Sequence, residues 1–139
     1  MYIMRPNWSN IGKQPIIRVQ DVCVTRLIIW NSESTLEEHL QTLPTLNCAW
    51  IFLEEQQSLT GVLSVEYLRN NQHHRSLKIH DLVLPITYTT LEQPLEQIVH
   101  SLSAAFPVAV VINQGSPIGY IDQNAATFIL QGAIDFLNN

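Results

Sequence analysis

Three groupings of side chains have types and spacings that chemistry can use. His73 and His74 lie close to His80, but they share a polar stretch with Arg69, Arg75 and Lys78, so solvated loop imidazoles are expected and no metal site is predicted. Glu37-Glu38-His39 lacks the HExxH spacing that puts two imidazoles on one helical face, and it reads as a helix surface. The adjacent Glu54 and Glu55 fall in a turn, without the acid/base partner and apolar pocket that a catalytic pair needs. No GxSxG, GxGxxG or P-loop occurs and no nucleophile stands out, so the chain is expected not to be an enzyme. Cys23 and Cys48 have no CxxC spacing; they read as small apolar residues of a reducing compartment, with a single bridge between them as the alternative.

The chain that must position any site has 139 residues, 46% hydrophobic and 14% charged, enough for a core without a disulfide or metal. No apolar run reaches the length of a membrane span, and Met1–Pro6 has no basic region followed by an apolar stretch. No membrane insertion and a cytoplasmic location are expected. The initial Met1 suggests a stand-alone chain, an excised fragment with an added Met being the alternative. A net charge of −5 argues against nucleic acid as a partner, because neutralising phosphates takes a concentrated basic face.

The charges are arranged in a pattern that occurs twice. Arg5, Lys13, Arg18 and Arg26 come first; Glu33, Glu37, Glu38, Glu54, Glu55 and Glu66 follow with no base among them. Arg69, Arg75 and Lys78 then precede Asp81, Glu92, Glu96, Asp122 and Asp135, again without a base. The residues repeat as well. Val19-Gln20-Asp21-Val22-Cys23 matches Ile79-His80-Asp81-Leu82-Val83 about 60 positions on. Thr35-Leu36-Glu37-Glu38 matches Thr90-Leu91-Glu92-Gln93, Trp50-Ile51-Phe52-Leu53 matches Val108-Ala109-Val110-Val111, and Gly61-Val62-Leu63 matches Gly119-Tyr120-Ile121. The division predicted is an N-terminal arm over 1–16, a first copy over 17–72 and a second over 73–139.

Each copy reads as two helices around a strand, a turn and a strand. An apolar strand start (Leu27–Trp30; Leu84–Tyr88) leads to Ser34-Thr35-Leu36-Glu37 or Thr89-Thr90-Leu91-Glu92, both of the capping-box form S/T-x-x-E. Leu36, Leu40 and Leu43, and Leu91, Leu95, Ile98 and Leu102, make one apolar helical stripe each, with Pro94 in the first turn of the second helix. Dense apolar strands follow (Ala49–Leu53; Val108–Ile112), then a polar turn, a second strand and a closing helix. The expected fold class is α/β (α+β), two β-α-β-β-α units.

This doubled arrangement resembles a tandem pair of CBS domains, the cystathionine beta-synthase motif that forms Bateman modules. The resemblance rests on the Val19–Val22 and Ile79–Leu82 segments, the Thr-Leu-Glu helix starts, and Gly61-Val62-Leu63-Ser64 and Gly119-Tyr120-Ile121-Asp122. It implies two pseudo-twofold units packed through their sheets, ligand clefts between them, and a regulatory role in which ligand is coupled to a partner or an assembly state. Cys48–Ile51 and Gly61–Leu68 are most similar to the C-terminal pair of glycine betaine transporter ATPases, so a transporter or enzyme domain is an expected partner, in cis or in trans. A regulatory tail of such a transporter and a ligand-free dimerisation module are the alternatives.

The resemblance also implies an adenine nucleotide as ligand, AMP, ADP, ATP or cyclic di-AMP, and a binding set of Thr25, Arg26, Ser64, Tyr67, Pro85, Ile86 and Asp122. Nucleotide-binding members end the last strand in Gly-apolar-x-Thr/Ser-x-x-Asp, where the hydroxyl caps a helix whose amides face phosphate and the Asp accepts from ribose. Here Ser64 keeps the hydroxyl but Tyr67 replaces the Asp, while Asp122 replaces the hydroxyl and Ala125 the Asp. A fixed carboxylate at Asp122 opposes phosphate, so the second copy is expected to have lost its site. In the first, Ser64 would present amides, Tyr67 would stack on a base and Arg26 would grip phosphate, giving single, weak binding. Trp50 is expected in the core and Trp8 in an arm that packs across the module or forms a dimer contact. The stripe Ile129, Ala133 and Leu137 suggests a homodimer.

Overall fold

The structure, a computed structural model, describes residues 16–73 and 78–138. Residues 1–15 of the N-terminal arm, with Trp8, and His74 and Arg75 of the connector lie outside the described residues.

Each copy builds one three-stranded sheet. In the first, β1 (Ile29–Asn31) runs parallel to β2 (Trp50–Glu55), which pairs antiparallel with β3 (Ser58–Ser64). In the second, β4 (Thr87–Thr89), β5 (Val108–Asn113) and β6 (Ser116–Asp122) pair in the same order. Even the irregularities repeat: the register slips after Leu53 in one copy and after Val111 in the other.

The dense apolar runs follow from the position of β2 and β5, because a central strand covered on both faces needs apolar residues at successive positions. Ile51, Leu53 and Leu63 point to the core of the first copy, and Ala109, Val111 and Ile121 to that of the second. The alternate residues Phe52, Val62, Val108, Val110 and Tyr120 point the other way and form a third cluster between the sheets. The rings of Phe52 and Tyr120 meet there at 5.2 Å, tilted 53°. The two units therefore pack through their sheets, and the α+β expectation holds.

Helix starts depart from expectation. In the first copy the stretch behind Ser34 and Thr35 folds as two 3-10 turns, Leu36–His39 and Leu43–Thr45, and Thr35 makes no side-chain cap. Pro44 explains the break: it has no amide to donate back to Leu40, so a continuous helix through this stretch would lose that bond. In the second copy α3 (Leu95–Val99) begins only after Pro94, which stands at the N-cap, so Thr89 through Glu92 precede the helix instead of opening it. Thr89 ends β4, with its hydroxyl 2.8 Å from Gln93 Oε1. Neither capping box forms.

The lead-in segments cross between the copies. Helix α1 (Val19–Val22) belongs to the first copy by sequence, yet Val19 is fully buried in the core of the second. Its amides hold there: Val19 N–H donates to Gln93 O (2.9 Å) and Gln20 N–H to Leu91 O (2.9 Å), while Leu95 N–H donates to Ile17 O (2.7 Å). The 3-10 turn Ile79–Leu82 makes the reciprocal move, with Ile79 buried in the first core and its N–H donating to Ser34 O (3.2 Å). Each copy completes the other's core.

Candidate functional site

After crossing, each lead-in runs beside the last strand of the other copy. Val24 exchanges both backbone hydrogen bonds with Tyr120 on β6 at 2.9 Å, and Leu84 exchanges both with Val62 on β3 at 2.8 and 2.9 Å. Two glycines make room for this. A methyl on Gly119 would run into the Val24 carbonyl oxygen, and one on Gly61 into the Val83 side chain and the Leu84 carbonyl oxygen. Each strand-end motif therefore needs its glycine because a neighbouring backbone lies directly over it.

Two clefts result, each walled by both copies. One, about 550 Å³, lies between the β3 end with its helix α2 (Val65–Asn70) and the second lead-in; Ser64, Glu66, Tyr67, Asn70 and Asp81 line it. The other, about 590 Å³, lies between the first lead-in and β6; Arg26, Asn47, Cys48, Trp50 and Tyr120 line it. Ser64 and Arg26, expected to act together, are thus in different clefts. The crossing separates them: Arg26 follows its lead-in to the Asp122 end, and the Ser64 end receives Asp81 through Leu84 instead.

The clefts differ in charge. The charged side chains on the Ser64 cleft are Glu66 and Asp81, the latter 3.2 Å from His80 Nε2, which gives a wall that opposes an anion. On the other cleft Arg26 is the charged side chain; it is exposed and makes no hydrogen bond or ion pair among the described residues. Burial pushes the Tyr120 phenol up, helped by the Asp122 carboxylate and by Cys48, so it stays neutral and able to donate.

Both strand-end caps form. Ser64 Oγ accepts from Tyr67 N–H at 3.2 Å and starts α2. Asp122 Oδ1 accepts from Ala125 N–H at 2.7 Å and starts α4 (Gln123–Asn138). Asp122 does more than cap, since its Oδ2 accepts from Trp50 Nε1–H, 3.1 Å away in the other copy. The carboxylate is therefore hydrogen-bonded at both oxygens, to the first turn of α4 and to the indole of the other copy. Trp50 is half-buried against the inter-sheet cluster and forms cleft wall, whereas a core position was expected.

The remaining expected residues scatter. Tyr67 is 51% exposed on the Ser64 cleft. Thr25 is exposed, with its backbone against Gly119; Pro85 is exposed, and Ile86 packs on the inter-sheet cluster. None of these three lines either cleft. Ile129 of the expected dimer stripe packs on the second core, and among the described side chains the exposed large apolar one of α4 is Phe128, 79% accessible; the Leu137 side chain lies outside the described ones. Both cysteines are free thiols, and among the described residues no three His, Cys, Asp or Glu side chains gather as a metal site. Trp50, Tyr120, Asn47 and Asp81 escaped the sequence reading. The signal for Trp50 was its repeat partner Val108, a large donor-bearing ring where the other copy has a small apolar residue.

The fold is that of a CBS-domain pair. No family model matches the chain. The CBS domain of a bacterial CNNM/CorC family magnesium transporter, solved in complex with ATP, superposes with a TM-score of 0.66 at 14% identity, over 83% of this chain and 87% of that one. A hemolysin-like CBS protein of Oenococcus oeni PSU gives 0.69 at 16% identity over 87% and 95%. The CBS pair of protein MJ0100, in complex with 5'-methylthioadenosine and S-adenosyl-L-methionine, gives 0.67 at 14% over 85% and 98%. Among curated proteins, one from Pelagibacter ubique (strain HTCC1062) bearing the name of a pre-16S rRNA nuclease is 68% identical over 28 residues, which span 20% of this chain and 18% of that protein. Among the described residues no helix is long and apolar enough to cross a membrane.

Proposed function

We propose that the chain is a regulatory, non-catalytic module that senses a small anion of the adenine-nucleotide class in the Arg26 cleft and passes occupancy to a partner or an assembly state. The observation that carries this reading is that the cleft is walled by both copies and combines a free guanidinium with two aromatic side chains, Trp50 and Tyr120. A guanidinium recognises phosphate through paired donors, and an aromatic wall suits a planar base. Ligand bridging two copies favours one relative arrangement of them, which is the physical basis of a switch. Two of the similar folds carry adenosine-containing ligands, one of them the anion ATP, which supports an adenine-bearing ligand.

Phe128, exposed on α4, supports a homodimer through that helix, and sedimentation velocity reads it directly. A transporter ATPase as the regulated partner rests on the sequence resemblance of Cys48–Ile51 and Gly61–Leu68 alone. A cytoplasmic setting, where nucleotides are abundant and thiols reduced, fits both. Calorimetry with AMP, ADP, ATP and cyclic di-AMP tests the sensing role. One site per chain is expected. Silence across the panel would remove the nucleotide reading and leave a ligand-free dimerisation module.

A further inference from the structure

The two halves of the molecule differ where they should be equivalent. On pseudo-symmetry Trp50 corresponds to Val108, and Asp122 to Ser64. In the Ser64 half the capping oxygen takes the Tyr67 amide, and the counterpart of Trp50 is the apolar Val108, which has no side-chain donor to offer. In the other half both positions have changed, and the two changed residues meet: the Trp50 indole donates to the second oxygen of the residue that caps α4. A hydroxyl cap gives a single oxygen to share, whereas a carboxylate serves both donors with separate oxygens.

From this pairing we infer that Asp122 is a positioning residue that couples the wall of the Arg26 cleft to the start of α4. It holds the indole of Trp50 with one oxygen and the first turn of α4 with the other, so displacement of the indole by a ligand reaches the helix through one rigid group. The helix carries the exposed Phe128 near the middle of its length, so the readout of occupancy is the α4 surface. The link exists at one cleft and is absent from the other, which makes the two clefts unequal in what they report.

The ligand-driven part rests on the proposed nucleotide reading; the link itself is present without ligand, and two arms separate them. In the ligand-free arm, Asp122→Ser keeps a capping oxygen, as Ser64 does, and removes the acceptor for Trp50. The indole Nε1–H resonance, assigned by its loss in Trp50→Phe, should shift, and Trp50→Phe should speed hydrogen exchange of the Ala125 amide by about tenfold, the scale of one charge-assisted bond. An unmoved indole resonance, or an unchanged Ala125 amide, would overturn the inference. In the ligand arm, ATP should shift both the Trp50 indole and the α4 amides of the wild type. In Asp122→Ser it should still move the indole while the α4 amides stay put, and equal helix shifts in both proteins would refute coupling through Asp122. A wild type indifferent to ATP contradicts the nucleotide reading instead, and the ligand-free arm then decides the link.

Discussion

His39 shows how one side chain sets a pH dependence. Its ring lies 3.8 Å from that of Trp30, nearly parallel at 6°, and Nε2 is buried without a hydrogen-bond partner among the described residues. Burial lowers its pKa from the ordinary 6.5, and the neighbouring Glu38 carboxylate offsets part of that. A lowered imidazole pKa means that the unfolded chain binds more protons just below about pH 6.5, so stability falls as pH drops through that value and levels off below the folded pKa. Urea titrations between about pH 7.5 and 5 should show this decline in the wild type, and His39→Phe, which keeps a stacked ring, should remove it. Gly119 makes a second residue-scale case. Gly119→Ala should cost about 1–3 kcal/mol in urea unfolding, because its new methyl meets the Val24 backbone oxygen, which no side-chain rotation can relieve. At this scale the two caps were legible, since Ser64 and Asp122 stand where a strand ends and a helix starts. The second role of Asp122 was not, because its partner lies in the other copy, 72 residues away.

The paired hairpins carry a prediction about elements. Gln56 and Gln57 join β2 to β3 with φ of 53° and 70°, and Gln114 and Gly115 join β5 to β6 with 52° and 80°. Such two-residue turns match the twist of the strands but place both central residues in the left-handed region, where a β-carbon is crowded. The second copy relieves one of its two positions with glycine; the first relieves neither. Gln57→Gly should therefore raise stability by about 0.5–1 kcal/mol, read as a higher Tm, with no change in ligand affinity. Strands were the legible elements, because their burial on both faces writes unbroken apolar runs into 50–53 and 108–112. Helices were less so. The periodicity of Leu36, Leu40 and Leu43 is real, and Leu36 and Leu43 are fully buried, but Pro44 lets that stripe form only as short turns.

The molecule as a whole depends on a contact that leaves no local trace. Repeats and strands follow from the sequence, and the pairing of sheets from the family resemblance, yet whether a lead-in segment returns to its own copy or crosses to the other depends on connections far apart in the chain. Val19 and Ile79 look alike in either case; only their surroundings, the second core and the first, reveal the exchange. That exchange moves the guanidinium of Arg26 to the cleft of Trp50 and Tyr120 and leaves the Ser64 cleft with Glu66 and Asp81. Calorimetric titration of ATP into wild type, Arg26→Ala and Tyr67→Ala tests the resulting assignment most directly. The wild type should bind one ATP per chain, Arg26→Ala should weaken it by about tenfold or more, the scale of a charge-assisted contact, and Tyr67→Ala should leave it unchanged. Loss of binding in Tyr67→Ala, with Arg26→Ala binding as the wild type does, would contradict it and place the anion in the Ser64 cleft.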